Sequence, residues 1–228
     1  MLNVEGELYH VIARTVGDKV VFEGEADFYR GVFAVYEFNN SDPVNMWKRR
    51  KERAVEKKVL GQTSPTLQER KMFVEILAFS FMPNHLHLLV KQITDNGISN
   101  FMRKFGTGFA MYFNGKYSRK GHLFNKFKAI HIESDKQLKN VFAYIHTNLI
   151  SLTEPGWKEN GIKNPEKVIE FLENNKKHSY GDYLGKKNFP SVTQRDFMTE
   201  VMGGVEGCKA SVDDWIKYKK EFGEDLAK

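Results

Sequence analysis

The sequence holds one cysteine, Cys208, among 228 residues. That excludes a disulfide framework and any zinc site built from several thiolates, and it fits a reducing cytoplasm. No apolar run is long enough to cross a bilayer. The opening MLNVEGELYHVIARTV is too polar for a secretory leader. Internal repeats and low-complexity tracts are missing as well. What is present is a chain with 13% aromatic residues, 18 of them Phe, so a real core is expected rather than a disordered tail. The net charge of +6 leans toward an acidic partner such as nucleic acid.

The pattern along the chain predicts strand, helix, two strands, helix, strand, helix. LYHVIARTV, from Leu8 to Val16, reads as the first strand. EADFYRGVFAVYEF places Phe28, Val32, Val35 and Tyr36 at helical spacing. A polar, basic insertion containing a charged helix is expected at about 39–66. KMFVEILAFSFM then runs into a turn at Pro83-Asn84 and a second strand, a hairpin. Ile98, Phe101, Met102, Phe105, Phe109 and Tyr112 mark an amphipathic helix ending near Asn114-Gly115. KFKAIHI, from Lys126 to Ile132, is a further strand. Ser134 and Gln137 form a capping box that opens a helix over about Asp135 to Leu149. This order implies an α+β fold, an antiparallel sheet with helices on one face. After Thr153 a linker and short capped helices follow, giving a domain at 1–153 and a helical C-terminal extension at 154–228.

The stretch FMPNHLHLLV, Phe81 to Val90, raises a chemical question. Alternation puts His85 and His87 on one face of the strand and Leu86 and Leu88 on the other. Two neutral imidazoles aimed at one point are the start of a metal site, or else strand histidines bonded to neighbours. In YIHTN, Tyr144 and Asn148 stand four apart on one helical face, and His146 points elsewhere. If that face packs over the histidine strand, a phenol lies beside a cation held by two imidazoles and an amide oxygen. Taken alone, Tyr144 and Asn148 read as a core aromatic and a helix-end residue.

The combination of FMPNHLHLLV, YIHTNLI, the intervening FMRKFGTGFAMYFNGKYSRKGHLFNKFKAI and the later HSYGDYLG resembles the single-tyrosine HUH transposases. It is most similar to the IS200-like group and its REP-associated tyrosine transposases. The resemblance runs from about Tyr9 to Gly185. It implies a ferredoxin-like or RRM-like palm, with Tyr144 as nucleophile and His85, His87 and Asn148 as ligands to Mg²⁺ or Mn²⁺. It implies single-stranded DNA beside a hairpin as substrate, a covalent 5′-phosphotyrosine intermediate, and a monomer or homodimer. Leu149 stands where the family usually has proline, so the helix is expected to run on for a turn. The insertion at about 39–66 is also longer than usual.

Basic residues are interleaved with aromatics on either side of the fourth strand's start. Arg103, Lys104, Lys116, Arg119, Lys120, His122, Lys126 and Lys128 are the expected DNA contacts. Tyr117, Phe124 and Phe127 are stacking partners or core. KRRKERAVEKK, Lys48 to Lys58, is a second basic patch or an ordinary solvated helix. His10 and His131 read as plain strand residues, and WIKYKKEF as a packing helix. Three rivals remain. A histidine-triad hydrolase needs a third alternating histidine, but Leu89 occupies that place. A non-catalytic DNA-binding relative would keep the fold without the chemistry. A replication initiator of the same fold arranges its tyrosine in different motif text.

Overall fold

A computed structural model describes residues 5–52 and 70–222, the side chains of 220–222 excepted. The elements are β1 (Leu8–Arg14), α1 (Glu25–Phe38), α2 (46–52 of it described), β2 (Val74–Met82) and β3 (His85–Gln92). After them come α3 (Gly97–Lys116), β4 (Lys128–Ile132), α4 (Asp135–Thr147), α5 (Trp157–Asn160) and α6 (Pro165–Asn174). The chain closes with α7 (Tyr180–Tyr183), α8 (Asp196–Met202) and α9 (Gly204–Phe222). From residue 53 onward the basic insertion expected at about 39–66 lies outside the described residues. The chain leaves α1 beside the point where it enters β2. Asn39 Nδ2 donates to Val74 O at 2.7 Å and Asn39 Oδ1 accepts from Phe73 N–H at 3.0 Å.

The strands pair antiparallel in the order β2-β3-β1-β4. With α1 crossing from β1 to β2 and α3 from β3 to β4, this is the ferredoxin-like split βαβ arrangement. Alternation then sorts the side chains. Tyr9, Val11, Ala13, Phe79, Phe81, Leu86, Leu88 and Val90 bury against α1 and α3, whose Phe28, Val32, Val35, Phe101, Phe105 and Phe109 complete the first core. Each fully buried Phe contributes about 1.5–3 kcal/mol of transfer free energy. The two helices cross closely at Gly108, where an added Cβ would stand 2.1 Å from Phe38 Cζ.

The opposite face of the sheet is not left bare. A register shift between Ile76 and Ala78 turns both Leu77 and Ala78 to that side. With Met82, Leu89 and Ile132 they bury against Leu138, Phe142 and Ile145 of α4, and against Val168, Leu172, Met198, Cys208, Val212 and Ile216 farther along. The expectation of helices on one face therefore describes α1 and α3 only; α4 and the C-terminal helices form a third layer. Short-range periodicity reports that a helix has an apolar stripe, not which face of the sheet will cover it.

HSYGDYLG has a structural role in this layer. Residues 177–194 run along the outer edge of β2 and satisfy its free backbone groups. Phe81 N–H donates to Lys177 O at 2.7 Å, and Ser179 N–H to Phe79 O at 3.0 Å. Ser179 Oγ accepts from Phe79 N–H at 3.0 Å, and Tyr183 Oη donates to Leu77 O. WIKYKKEF lies within α9, and its Ile216 is fully buried, as a packing helix requires.

Candidate active site

The site grows from two neighbouring strands and one helix. Register aligns Arg14 with His85, Ile12 with His87, and His10 with Leu89. All six share the face turned toward α4. His85 and His87 have ring centres 4.9 Å apart and are 8% and 3% exposed. Burial, followed by the positive charges of Arg14 and Lys158, lowers His85 to about 4. Burial, followed by His10 and His85, holds His87 well below the usual histidine value. Both rings are therefore neutral at pH 7, the state in which an imidazole nitrogen serves as a ligand.

Helix α4 delivers the tyrosine. Ser134 Oγ accepts from Gln137 N–H at 3.3 Å, as the capping box predicts. The reciprocal arm lands one residue early, with Gln137 Oε1 accepting from Glu133 N–H at 2.9 Å. Three turns later Tyr144 meets the histidines. Its ring centre lies 5.6 Å from His87 and 5.8 Å from His10, edge-on to each. Lys158 Nζ is 5.6 Å from the Tyr144 ring centre. The phenol is half-buried rather than locked in the interior. Burial raises its pKa above the usual value of 10.0, and Arg14 acts in the opposite direction.

Beyond Thr147 the chain tightens into a 3-10 turn over Asn148–Leu152. Asn148 N–H donates to Tyr144 O, keeping Asn148 one turn above the tyrosine. The expected run-on past Asn148 is therefore present, as a tighter coil. Leu149, in the place of proline, is fully buried in the second core.

Two buried polar atoms here have no hydrogen-bond partner: His87 Nε2 and Asn148 Nδ2. Rotating the amide by a half turn presents Oδ1 in place of Nδ2. Among the described residues, no three His, Cys, Asp or Glu side chains group into a metal-holding cluster. A cation would rest on the neutral imidazoles of His85 and His87 with the Asn148 amide, and the unmatched His87 nitrogen fits that use.

The sequence reading missed His10, Arg14, Asn84 and Lys158 as neighbours of this site. His10 Nε2 is 2.9 Å from His87 Nδ1, and Asn84 Oδ1 is 2.6 Å from His85 Nδ1. His10 and Arg14 fall at positions opposite to apolar Tyr9, Val11 and Ala13, which was the available signal. Which strand they would border was not written in that alternation. His146 is off the site, fully buried, with Nε2 2.9 Å from Ser179 Oγ.

The basic residues divide in two. Lys128 pairs with Ile12, so Lys128, Ile12 and His87 form one row across three strands on the same face. Arg14, Lys128 and Ile130 are exposed and Ile12 is half-buried, so this side of the face is open beside α4. Arg103, Lys120, His122 and Lys126 are also exposed. Lys104, Lys116 and Arg119, by contrast, hold the fold together. Lys104 Nζ donates to the backbone oxygens of Asn40 and Asp42, Lys116 Nζ to Asp27 Oδ1 at 2.7 Å, and Arg119 to Asn114 Oδ1 at 3.0 Å and His122 O at 2.8 Å. Tyr117 Oη also donates to Asp27, at 2.6 Å, and Phe124 and Phe127 pack against the first core.

Residues 41–148 match the family described as transposase IS200-like, a span that takes in His85, His87, Tyr144 and Asn148. No curated protein matches the chain. Among solved structures, one of a REP-associated tyrosine transposase bound to a REP hairpin is similar at 13% identity and a TM-score of 0.49, covering 86% of this chain and 90% of that one. The family match runs from before the paired histidines through the tyrosine helix, so over this span the chain is similar to the IS200-like transposases.

Proposed function

We propose that this protein cleaves and rejoins single-stranded DNA beside a hairpin, through a covalent bond between DNA and Tyr144. The observation that carries this reading is the position of the Tyr144 ring, 5.6 Å from His87, half-buried, at the border of an open face. That face is lined by Arg14, Ile12, Lys128 and Ile130. A single strand has its phosphates and base faces free to lie on such a surface, whereas a duplex does not.

In the proposed reaction the Tyr144 oxygen attacks phosphorus and gives up its proton. The bond from phosphorus to the 3′-oxygen breaks, and that oxygen leaves as a 3′-hydroxyl. The 5′ side remains attached as a phosphotyrosine. One phosphoester replaces another, so the reverse attack by a 3′-hydroxyl reseals DNA without a nucleotide cofactor. His85, His87 and Asn148 would hold Mg²⁺ or Mn²⁺, which when bound polarises the scissile phosphate. Arg14 and Lys158 carry positive charge beside the tyrosine, favouring the phenolate and the arriving phosphate. Arg103, Lys120, His122, Lys126 and Lys128 are the proposed outer DNA contacts. No helix among the described residues is long and apolar enough to cross a membrane.

The test is incubation with end-labelled, hairpin-flanked single-stranded DNA and Mn²⁺. A protein–DNA adduct on the 5′-phosphate side, absent from Tyr144→Phe, is the expected result. Binding without any adduct would leave a non-catalytic DNA-binding relative. Turnover of a small phosphoester that survives Tyr144→Phe would indicate a hydrolase instead.

A further inference from the structure

Each proposed ligand histidine uses its Nδ1 on a neighbour that is not itself a ligand. We propose that Asn84 and His10 are positioning residues. They fix His85 and His87 as Nδ1–H tautomers, so that both rings offer an Nε2 lone pair to the cation. The inference rests on the metal-holding role proposed above for the two histidines.

For His85 the assignment follows from a chain of contacts. Asn84 Nδ2 donates to Asp18 Oδ1 at 3.1 Å, and Arg14 holds the same oxygen at 2.8 Å. An ionised carboxylate only accepts hydrogen bonds, so the amide must turn its NH₂ end to Asp18. Its oxygen then faces His85 Nδ1 at 2.6 Å. An oxygen acceptor there requires the hydrogen to sit on Nδ1. In a neutral ring, Nε2 is left with its lone pair.

For His87 two arrangements fit the 2.9 Å contact with His10 Nε2. In one, His10 donates, and His87 must carry its hydrogen on Nε2. That atom is buried and has no partner, so an N–H there is an unpaired donor costing about 1–3 kcal/mol. In the other, His87 donates from Nδ1 to His10, and Nε2 is a lone pair awaiting a cation. The second arrangement leaves no buried donor unmatched. It also gives both ligands the same tautomer, and outer partners of this kind orient metal-bound histidines generally.

The test uses the full chain with ¹⁵N-labelled histidine and no metal at neutral pH. Two-bond ¹H–¹⁵N spectra separate protonated from lone-pair ring nitrogens, with assignments from the signals lost in His85→Ala and His87→Ala. The expected result is Nδ1–H for both rings, and an Nε2–H form for either overturns the inference. A Mn²⁺ titration then probes the consequence. His10→Phe should weaken Mn²⁺ binding about 10- to 100-fold. His10→Gln, whose side-chain oxygen accepts from His87 Nδ1, should recover most of it. Equal Mn²⁺ uptake by the native protein and His87→Ala would defeat the metal-holding reading itself. Loss of uptake in His87→Ala with native affinity in His10→Phe would defeat only the positioning role. Should His10→Phe fail to fold, the spectra of the native protein still decide.

Discussion

Lys116 Nζ and Asp27 Oδ1 stand 2.7 Å apart, joining the end of α3 to the start of α1 across 89 residues of sequence. Tyr112 and Tyr117 donate to the same carboxylate, at 2.7 and 2.6 Å. Burial alone would raise the Asp27 pKa, but the bonds from Lys116, Tyr117 and Tyr112 outweigh it and hold the group below 3.8.

A stability prediction follows from the direction of that shift. A depressed folded pKa means that the carboxylate stabilises the native state fully above the unfolded value of about 3.9. The contribution is lost as pH falls through the folded value. Asp27→Asn should cost about 2 kcal/mol near pH 7. The gap between variant and native protein should shrink below about pH 4. Urea denaturation at pH 7 and at pH 3 measures both.

DNA binding should separate the lysines that the sequence grouped together. Lys128→Ala should weaken single-stranded DNA binding and reduce the slope of log affinity against log salt by about 0.7. Lys116→Ala should leave that slope unchanged and lower the melting temperature, since its ammonium is committed to Asp27. Fluorescence anisotropy across a salt series, with thermal melts alongside, distinguishes the two.

Gly106 and Gly108 sit two residues apart in α3 and should respond oppositely to alanine. Nothing lies within 4 Å of a Cβ built on Gly106, so Gly106→Ala should stabilise by about 0.5–1 kcal/mol. A Cβ on Gly108 meets the Phe38 ring, and Gly108→Ala should destabilise by about 1–3 kcal/mol through overpacking. Phe38→Leu should recover part of that loss, a coupling that a double-mutant cycle reads directly.

Ser179 links the edge strand to the tyrosine helix, with its Oγ 3.0 Å from Phe79 N and 2.9 Å from His146 Nε2. Ser179→Ala leaves those groups unmatched in the interior and should cost about 1–3 kcal/mol. Hydrogen exchange should report the opening at the Phe79 and Phe81 amides before global unfolding.

The local sequence carried the parts of this protein whose causes are local. Alternation in HLHLL determined that His85 and His87 share a face, and Pro83-Asn84 determined the turn before them. The Ser134 cap began α4, and the spacing of Tyr144 and Asn148 kept them one turn apart. Everything that joins distant strands was decided by tertiary structure. His10 borders His87, and Lys128 shares its row, because β1 lies between β3 and β4 in one register. Lys116 read as a DNA contact in the sequence, and only folding brought Asp27 to it. Periodicity fixes where a side chain points relative to its own strand or helix, over a few residues. Strand order, register and the choice of covering helix depend on the burial of the whole core, and that sum is not contained in any short stretch.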